Sequence, residues 1–302
     1  MSDNPTRVTI RTPAKINLGL RVLGKRPDGF HDIETLFVAI SLFDELSLQR
    51  RNASGVTLTW EKGRDDLDPG DFNTGEKNLI VRAIREFERS TGETVNVGVH
   101  LKKSIPIAAG LGGGSSDAAA TLLGLSKLYP QLSSRIGLPS LAARIGSDIP
   151  FFLGAPAAIG RGRGELLAPV AIDLTWYAIL ICPRIASPTS DVYAALDLTS
   201  LPRMPHFPVR LEGDGFFAAL ALIHNDLQDV VERRAPEVLH WHNRLLTLGA
   251  EGAYVSGSGP SVFGIFRHEP DSATIVEIRA EGADAWVVRP LDTQMTMVIG
   301  LS

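Results

Sequence analysis

Residues 102–129 read KKSIPIAAGLGGGSSDAAATLLGLSKLY and combine a strand end, a glycine loop and a helix. Apolar residues alternate up to the loop at Val95, Val97, Val99 and Leu101, which is the two-residue period of a strand. The Ala- and Leu-rich run after the loop has helical spacing. The pattern therefore predicts a strand, a glycine turn and a helix, in that order.

The glycine loop indicates an anion site. Four glycines between residues 110 and 114 lack Cβ atoms, so they permit positive φ and let main-chain N–H groups approach a ligand closely. Ser115, Ser116 and Asp117 are typical helix-start residues, and the first turn of a helix leaves N–H groups unpaired. A site of this kind favours phosphate above other ligands.

Two common phosphate loops do not fit this segment. A Walker A loop requires a glycine–lysine pair followed by Ser or Thr, and no such pair stands at the helix start. A dinucleotide-binding GxGxxG loop requires a third glycine where Ser115 stands. For the loop taken alone, a tight strand-to-helix turn without a ligand is the alternative.

The composition is that of an ordinary soluble chain of 302 residues, long enough for two domains. A net charge of −4 and a pI near 6.0 give no electrostatic basis for a nucleic-acid or anionic-membrane partner. The single cysteine, Cys182, cannot form an internal disulfide, which fits a reducing cytoplasm. No apolar run approaches the length of a membrane span. We therefore expect a cytoplasmic protein that binds neither nucleic acid nor an anionic membrane.

A second informative segment, VTIRTPAKINLGLRVL at residues 8–23, alternates as a strand does. The apolar residues at even positions from 16 to 22 share one side, so Lys15 and Asn17 lie together on the other. A solvated polar pair is the commoner explanation for any one such arrangement. The segment still offers one lysine on a defined strand face.

Phe30 and His31 follow a turn at residues 27–29 and begin the returning strand. Judged alone, Phe30 is a candidate for the core, and His31 is an exposed or hydrogen-bonded histidine. Further along, Asn78 precedes an apolar stripe with helical spacing and is expected to start a helix.

Asp148 stands with Ser147 immediately before Ile149 and Pro150, which is typical of a helix N-cap. Capping is therefore the first explanation for this aspartate. Its neighbours are apolar, however, and a carboxylate that they partly bury needs a partner. The residue is thus also a candidate for chemistry.

The second half of the chain carries fewer signals. A second glycine loop, SGSGPSVFG at residues 256–264, lies between apolar strand-like segments, and a last strand is expected at 286–288. Asn225 and Asp226 precede a helical stretch and are interpreted as plain caps. The spacing of two histidines at 240 and 242 fits no metal site, so none is predicted.

A strand lysine, a phosphate loop and an aspartate in an apolar setting are the groups that phosphoryl transfer to a hydroxyl requires. In this hypothesis the loop binds the donor phosphates, Asp148 accepts the hydroxyl proton, and Lys15 stabilises negative charge on the nucleophile and the transferring group. Mg²⁺ would be expected with the nucleotide.

Three ordered motifs resemble those of the GHMP kinase superfamily: PAKINLGL at 13–20, PIAAGLGGGSSDAAA at 106–120 and SGSGPSVFG at 256–264. The usual central motif of the family is GLGSSA, whereas this chain has GLGGGSSDAAA. Together with PDGFHDIETLF at 27–37 and GSDIPFFLGAPAAIGRGRGE at 146–165, it resembles the branch that acts on a CDP-linked sugar alcohol in non-mevalonate isoprenoid biosynthesis.

The resemblance implies a two-domain α+β GHMP kinase fold. Its N-terminal domain, over residues 1–165, would be a ribosomal-protein-like β-α-β domain that binds ATP, and its C-terminal domain, over 166–302, would be ferredoxin-like and contribute to the substrate site. The activity implied is ATP-dependent phosphorylation of the 2-hydroxyl of the CDP-linked alcohol by a monomer or homodimer. The catalytic residues would be Lys15 and Asp148.

The resemblance also assigns the binding residues. Those implied near ATP are Pro106, Ile107, Ala108, Ala109, Gly110, Leu111, Gly112, Gly113, Gly114, Ser115 and Ser116 of the loop, with Asn78 and Lys103 beside it. Those implied at the substrate are Asn17, Phe30, His31, Thr189 and Tyr193.

Two departures from the family pattern concern the predicted substrate residues. Family members often have tyrosine at the position of Phe30, so a stacking face is kept while a hydroxyl contact is lost. The segment SPTSDVYAALD at residues 187–197 is only loosely similar to its usual counterpart. The alternatives are another GHMP kinase, acting on homoserine or mevalonate, and a non-catalytic nucleotide-binding regulator on the same scaffold.

Overall fold

The computed structural model describes residues 5–64, 72–199, 201 and 206–300. The strands are β1 (Arg7–Lys25), β2 (His31–Arg50), β3 (Val56–Lys62), β4 (Val97–Lys103), β5 (Ala157–Gly162), β6 (Leu166–Pro169), β7 (Ala171–Ile172), β8 (Tyr177–Cys182), β9 (Arg210–Leu211), β10 (Gly252–Val255), β11 (Val262–Phe266), β12 (Asp284–Val288) and β13 (Thr296–Gly300). The helices are α1 (Leu79–Thr91), α2 (Gly113–Leu128), α3 (Pro130–Ser133), α4 (Leu138–Ile145), α5 (Thr189–Ala194), α6 (Asp214–Ala219), α7 (Gln228–Arg234), α8 (Pro236–Thr247) and α9 (Ser272–Ala280), with 3₁₀ turns at Pro150–Leu153 and Leu220–Leu222.

The first sheet has the strand order β13-β1-β2-β4-β3, and β5 joins it by pairing with both β2 and β6. Its two long strands, β1 and β2, are antiparallel along their whole length, whereas β3 and β4 are parallel. A register shift between Asn17 and Gly19 interrupts the β1–β2 ladder. Such irregularities bend a strand and change where its side chains point.

The predicted strand, glycine turn and helix are confirmed as β4, the loop and α2. The helix begins at Gly113, and its N-cap is Gly112, whose φ of 68° lies in the left-handed region that glycine adopts without strain. No side chain caps this helix, so Ser115 and Ser116 lie within it instead of capping it. Asn78 is confirmed as the start of α1, because its side chain accepts a hydrogen bond from the N–H of Ile80.

A second, antiparallel sheet has the order β10-β11-β8-β12, with α8 packed on β10 and β11 and α9 on β12. The strand expected at residues 286–288 is confirmed within β12, but it is not the last strand, because β13 follows it. The chain then returns to the first sheet, where β13 pairs antiparallel with β1. The division of the chain at residue 165 stays a prediction.

The two sheets share part of one core. Ala14, Ile16 and Leu18 of β1 belong to the same buried cluster as Leu180 of β8 and Phe263 of β11. Because these residues occupy one side of β1, the odd-numbered side chains between them point the other way. The functional side chains of β1 therefore lie beside the junction of the two sheets. Among the helices described, none is both long and apolar enough to cross a membrane.

Candidate active site

A cavity of about 710 Å³ lies at this junction. It is lined by every residue predicted to act in catalysis or to bind the substrate: Lys15, Asn17, Phe30, His31, Asp148, Thr189 and Tyr193. The structure thus brings together side chains from β1, β2, α5 and the segment after α4.

A second cavity, of about 270 Å³, lies along the glycine loop. The predicted nucleotide residues that line it are Asn78, Lys103 and all of Pro106 to Ser115. Ser116 does not, because its hydroxyl is fully buried against that of Thr12. Gly110 and Gly112 border both cavities, so the two spaces meet across the loop.

Lys15 lies where the two cavities meet, with only 4% of its surface exposed. Its Nζ donates hydrogen bonds to Oδ1 of Asn17 at 2.5 Å and to the carbonyl of Gly110 at 2.9 Å, and it lies 3.5 Å from Oδ2 of Asp148. Burial lowers the pKa of the ammonium group, and the neighbouring charge of Asp148 opposes that effect. The group is therefore held by fixed partners beside the loop.

Asp148 faces the larger cavity and does not cap a helix. The 3₁₀ turn that follows it begins at Pro150 and is preceded by Ile149, without any side-chain cap. The capping interpretation is therefore wrong, because the spacing of Asp148 and Pro150 leaves one residue too many between them. The carboxylate is 36% exposed and has the Lys15 ammonium as its partner. It can accept a proton from a ligand in the cavity.

Gly110 has no room for a side chain, since its φ is +75° and a Cβ atom would lie 2.7 Å from the carbonyl oxygen of Ser256. Because the family resemblance implies that this loop binds ATP, we expect Gly110→Ala to displace the loop and to raise KM for ATP about tenfold, which is within the range that ~1–3 kcal/mol of backbone strain allows. Gly114→Ala is the matched control, because a Cβ there meets only a Leu79 methyl at 3.4 Å. Equal KM values for the two variants would contradict the strain argument.

A buried charge network beneath the loop was missed by sequence reasoning. The Lys103 ammonium contacts Asp44 and lies 2.9 Å from Oδ2 of Asp117, while Oδ1 of Asp44 accepts the N–H groups of Ser104 and Ile105. Burial and the charge of Asp44 raise the pKa of Asp117 to about 7, and Lys103 opposes this shift. The network ties the start of the loop to β2. No signal in the sequence links Asp44 to residues so far along the chain.

The far end of the larger cavity is aromatic and basic. His31, the first residue of β2, stacks on Tyr193 of α5 with ring centroids 4.9 Å apart, so β2 and α5 are in contact there. Phe30 is 53% exposed, and the guanidinium of Arg163 lies over its ring at 5.1 Å. Arg163 and Lys25 also line the cavity, although no sequence pattern singled them out. An aromatic, cationic pocket suits a ligand with a planar base and a negative charge.

Comparison with known proteins identifies the family. The family described as GHMP kinases N terminal domain matches residues 78–155, and the one described as GHMP kinases C terminal matches residues 214–284. The curated 4-diphosphocytidyl-2-C-methyl-D-erythritol kinase of Shouchella clausii is 38% identical over 265 residues, which cover 87% of each chain. This chain belongs to the GHMP kinase family.

Other relatives agree with that assignment. The 4-diphosphocytidyl-2-C-methyl-D-erythritol kinase of Syntrophus aciditrophicus is 39% identical, covering 92% of this chain and 96% of its own. A crystal structure of 4-(cytidine 5'-diphospho)-2C-methyl-D-erythritol kinase superposes with a TM-score of 0.77 at 35% identity, covering 93% of this chain and 98% of its own. A homoserine kinase from Cytophaga hutchinsonii, at 18% identity and a TM-score of 0.71, is similar in fold alone.

The family assignment confirms two predictions made from the sequence. This GHMP kinase has the two-domain α+β fold, and it is an ATP-dependent small-molecule kinase. The glycine loop along the second cavity is accordingly the segment expected to bind ATP. The roles of the individual site residues stay predictions.

Proposed function

We propose that this GHMP kinase transfers the γ-phosphoryl group of ATP to the 2-hydroxyl of 4-diphosphocytidyl-2-C-methyl-D-erythritol, a step of non-mevalonate isoprenoid biosynthesis. One observation carries the chemistry: Lys15 and Asp148 lie 3.5 Å apart where two cavities meet across Gly110 and Gly112. The names of the relatives, and the aromatic and basic end of the larger cavity, support the choice of alcohol.

In the proposed reaction the alcohol occupies the larger cavity and the nucleotide phosphates lie along the loop. The Asp148 carboxylate accepts the hydroxyl proton while the alcohol oxygen forms its bond to the γ-phosphorus. The bond from that phosphorus to the bridging oxygen breaks, and ADP leaves with the electron pair. Transfer is direct, so no phosphoenzyme forms.

Lys15 would stabilise the negative charge that spreads over the transferring group and the attacking oxygen. Its ammonium is already oriented by Asn17 and by the Gly110 carbonyl, so little reorganisation is needed when the charge develops. The loop N–H groups and the N-terminus of α2 would bind the phosphates, which they favour electrostatically.

Mg²⁺ is proposed to accompany the nucleotide. Across the described part of the chain, no three His, Cys, Asp or Glu residues are grouped to hold a metal ion. Ser115 and Asp117 nevertheless line the phosphate cavity, and Oδ1 of Asp117 is buried without a hydrogen-bond partner. They fit a hard cation that takes most other ligands from phosphates and water. When bound, the ion would neutralise phosphate charge.

The base and diphosphate of the substrate would lie at the far end of the larger cavity. Phe30 offers an exposed ring face for cytosine, and His31 offers a polar edge. Arg163 and Lys25 supply positive charge for the diphosphate. Thr189 and Tyr193 bring α5 against the same ligand.

A coupled ADP-release assay tests the proposed substrate. We expect ADP release with the CDP-linked methylerythritol and none with homoserine, mevalonate or free methylerythritol, because the free alcohols cannot occupy the aromatic and basic end of the cavity. Phosphorylation of homoserine or mevalonate, with none of the CDP-linked alcohol, would reject the proposed substrate in favour of another GHMP kinase activity. The cytoplasmic location, the monomeric or homodimeric state and the lack of nucleic-acid partners stay predictions.

A further inference from the structure

We propose that Asn225 is a positioning residue for phosphoryl transfer, although it touches no reactant. It holds the second glycine loop, residues 256–264, against Lys15 and Asn17. The sequence suggested only a helix cap at this position. The inference rests on the proposed role of Lys15 and not on the identity of the alcohol.

The Asn225 side chain is fully engaged by the loop. It is 2% exposed, and its Nδ2 donates hydrogen bonds to the carbonyls of Val255 and Gly257, each at 2.8 Å. Its Oδ1 accepts the N–H of Leu227 at 3.0 Å. Because both N–H groups of the amide are used, no hydroxyl or carboxylate of similar size can reproduce the arrangement.

The backbone around Asn225 is fixed to β1. Residues Leu20 and Asn225 form a parallel bridge, in which the N–H of Leu20 donates to the carbonyl of His224 and the N–H of Asp226 donates to the carbonyl of Leu20, each at 2.9 Å. The Asp226 carboxylate also accepts the N–H of Val22 at 2.7 Å. Asn225 therefore sets the distance between the loop and the strand that carries the proposed catalytic lysine.

The loop in turn contacts the partners of the Lys15 ammonium. The N–H of Asn17 donates to Oγ of Ser256, and that hydroxyl donates to the carbonyl of Gly110, each at 3.2 Å. Both Asn17 and Gly110 accept hydrogen bonds from Lys15. The loop also passes so close that a Cβ at Gly257 would lie 2.9 Å from Oδ1 of Asn17. A shift of the loop would thus move the acceptors that aim the ammonium.

A purely local role for Asn225 would be to cap the turn through Leu227. Asn225→Asp separates this role from positioning, because aspartate keeps the acceptor for Leu227 but has no N–H for the loop. Its negative charge would instead face the carbonyls of Val255 and Gly257. A cap role predicts normal turnover in this variant, and a positioning role predicts its loss.

The test compares N225A and N225D with the matched control Y254F. Tyr254 donates a buried hydrogen bond of 2.8 Å to the carbonyl of Leu220. It therefore joins β10 to the 3₁₀ turn that shortly precedes Asn225, and this hydrogen bond does not involve the loop. For N225A and N225D we expect kcat to fall about 10- to 100-fold, as misplacement of a reacting group does, with KM for ATP changed less than about twofold. Y254F should lower Tm while keeping kcat within about twofold of the wild type.

Two results would overturn the proposal: wild-type kcat in N225D, or a loss of kcat in Y254F that matches the loss in N225A. Should N225D fail to fold, N225S takes its place with the same expected loss, since serine also cannot reach both carbonyls. The comparison is run with whichever alcohol the wild-type enzyme phosphorylates. A wild type that phosphorylates a free alcohol would therefore reject the proposed substrate and leave this test intact.

Discussion

Replacing Asp148 with asparagine is expected to lower kcat by about 10²–10⁴-fold, the usual contribution of a general base. The amide has nearly the size of the carboxylate but cannot accept the hydroxyl proton. Because Asp148 lines the larger cavity and not the one along the glycine loop, the affinity for ATP should change little. Steady-state kinetics and calorimetric titration with ATP measure the two quantities separately.

Asp271→Asn is the control for this substitution. Asp271 caps α9 and lines neither of the two cavities, so its variant should keep kcat within about twofold of the wild type. If D148N retained full turnover, Asp148 would not be the base. If D148N lost ATP binding together with turnover, its effect would be structural.

Replacing Lys15 with methionine is expected to lower kcat by about 10²–10³-fold, as does the loss of one preorganised donor to a developing charge. Methionine fills much of the same space and removes a buried ammonium whose desolvation opposes folding. The Asp148 carboxylate left behind is 36% exposed and stays hydrated. The removal of that desolvation is opposed by the loss of the donor to Oδ1 of Asn17, so thermal stability should change little while turnover is lost, a combination that unfolding cannot produce.

Lys102→Met serves as the lysine control, because Lys102 lies on the exposed face of β4 and lines neither cavity. Stopped-flow or steady-state assays at saturating ATP, together with a thermal melt, compare the two variants. A K15M enzyme with wild-type kcat would reject the role of Lys15. A K15M enzyme whose Tm fell sharply would instead point to a structural role for the ammonium.

The parts of the fold and site that were predicted depend on local periods. The two-residue period of β1 placed Lys15 and Asn17 on one face, and their side chains are hydrogen-bonded. The change from strand to helical spacing around the glycine loop located β4 and α2. Backbone geometry alone determines such neighbours, so a single sequence suffices to find them.

Features that depend on distant segments do not follow from local sequence periods. From its neighbours alone Asp148 was interpreted as a cap, whereas its pairing with Lys15 was inferred from the required chemistry and the family resemblance; the tertiary fold brings the Lys15 ammonium beside it. The pairing of Asp44 with Lys103 joins β2 to the loop, and that of Asn225 with Gly257 joins two turns of the second half. Neither pair is linked by any sequence period. The strand β13 was missed because its five residues, TMVIG, do not alternate.

The pairing of β13 with β1 has a consequence for any attempt to divide the protein. Arg7 and Gly300 face each other across this ladder, so the chain closes on itself at one edge of the first sheet. A fragment truncated near residue 165 would expose the hydrogen-bonding edge of β1, which promotes association with other chains. A truncated form therefore has to keep β13 paired with β1.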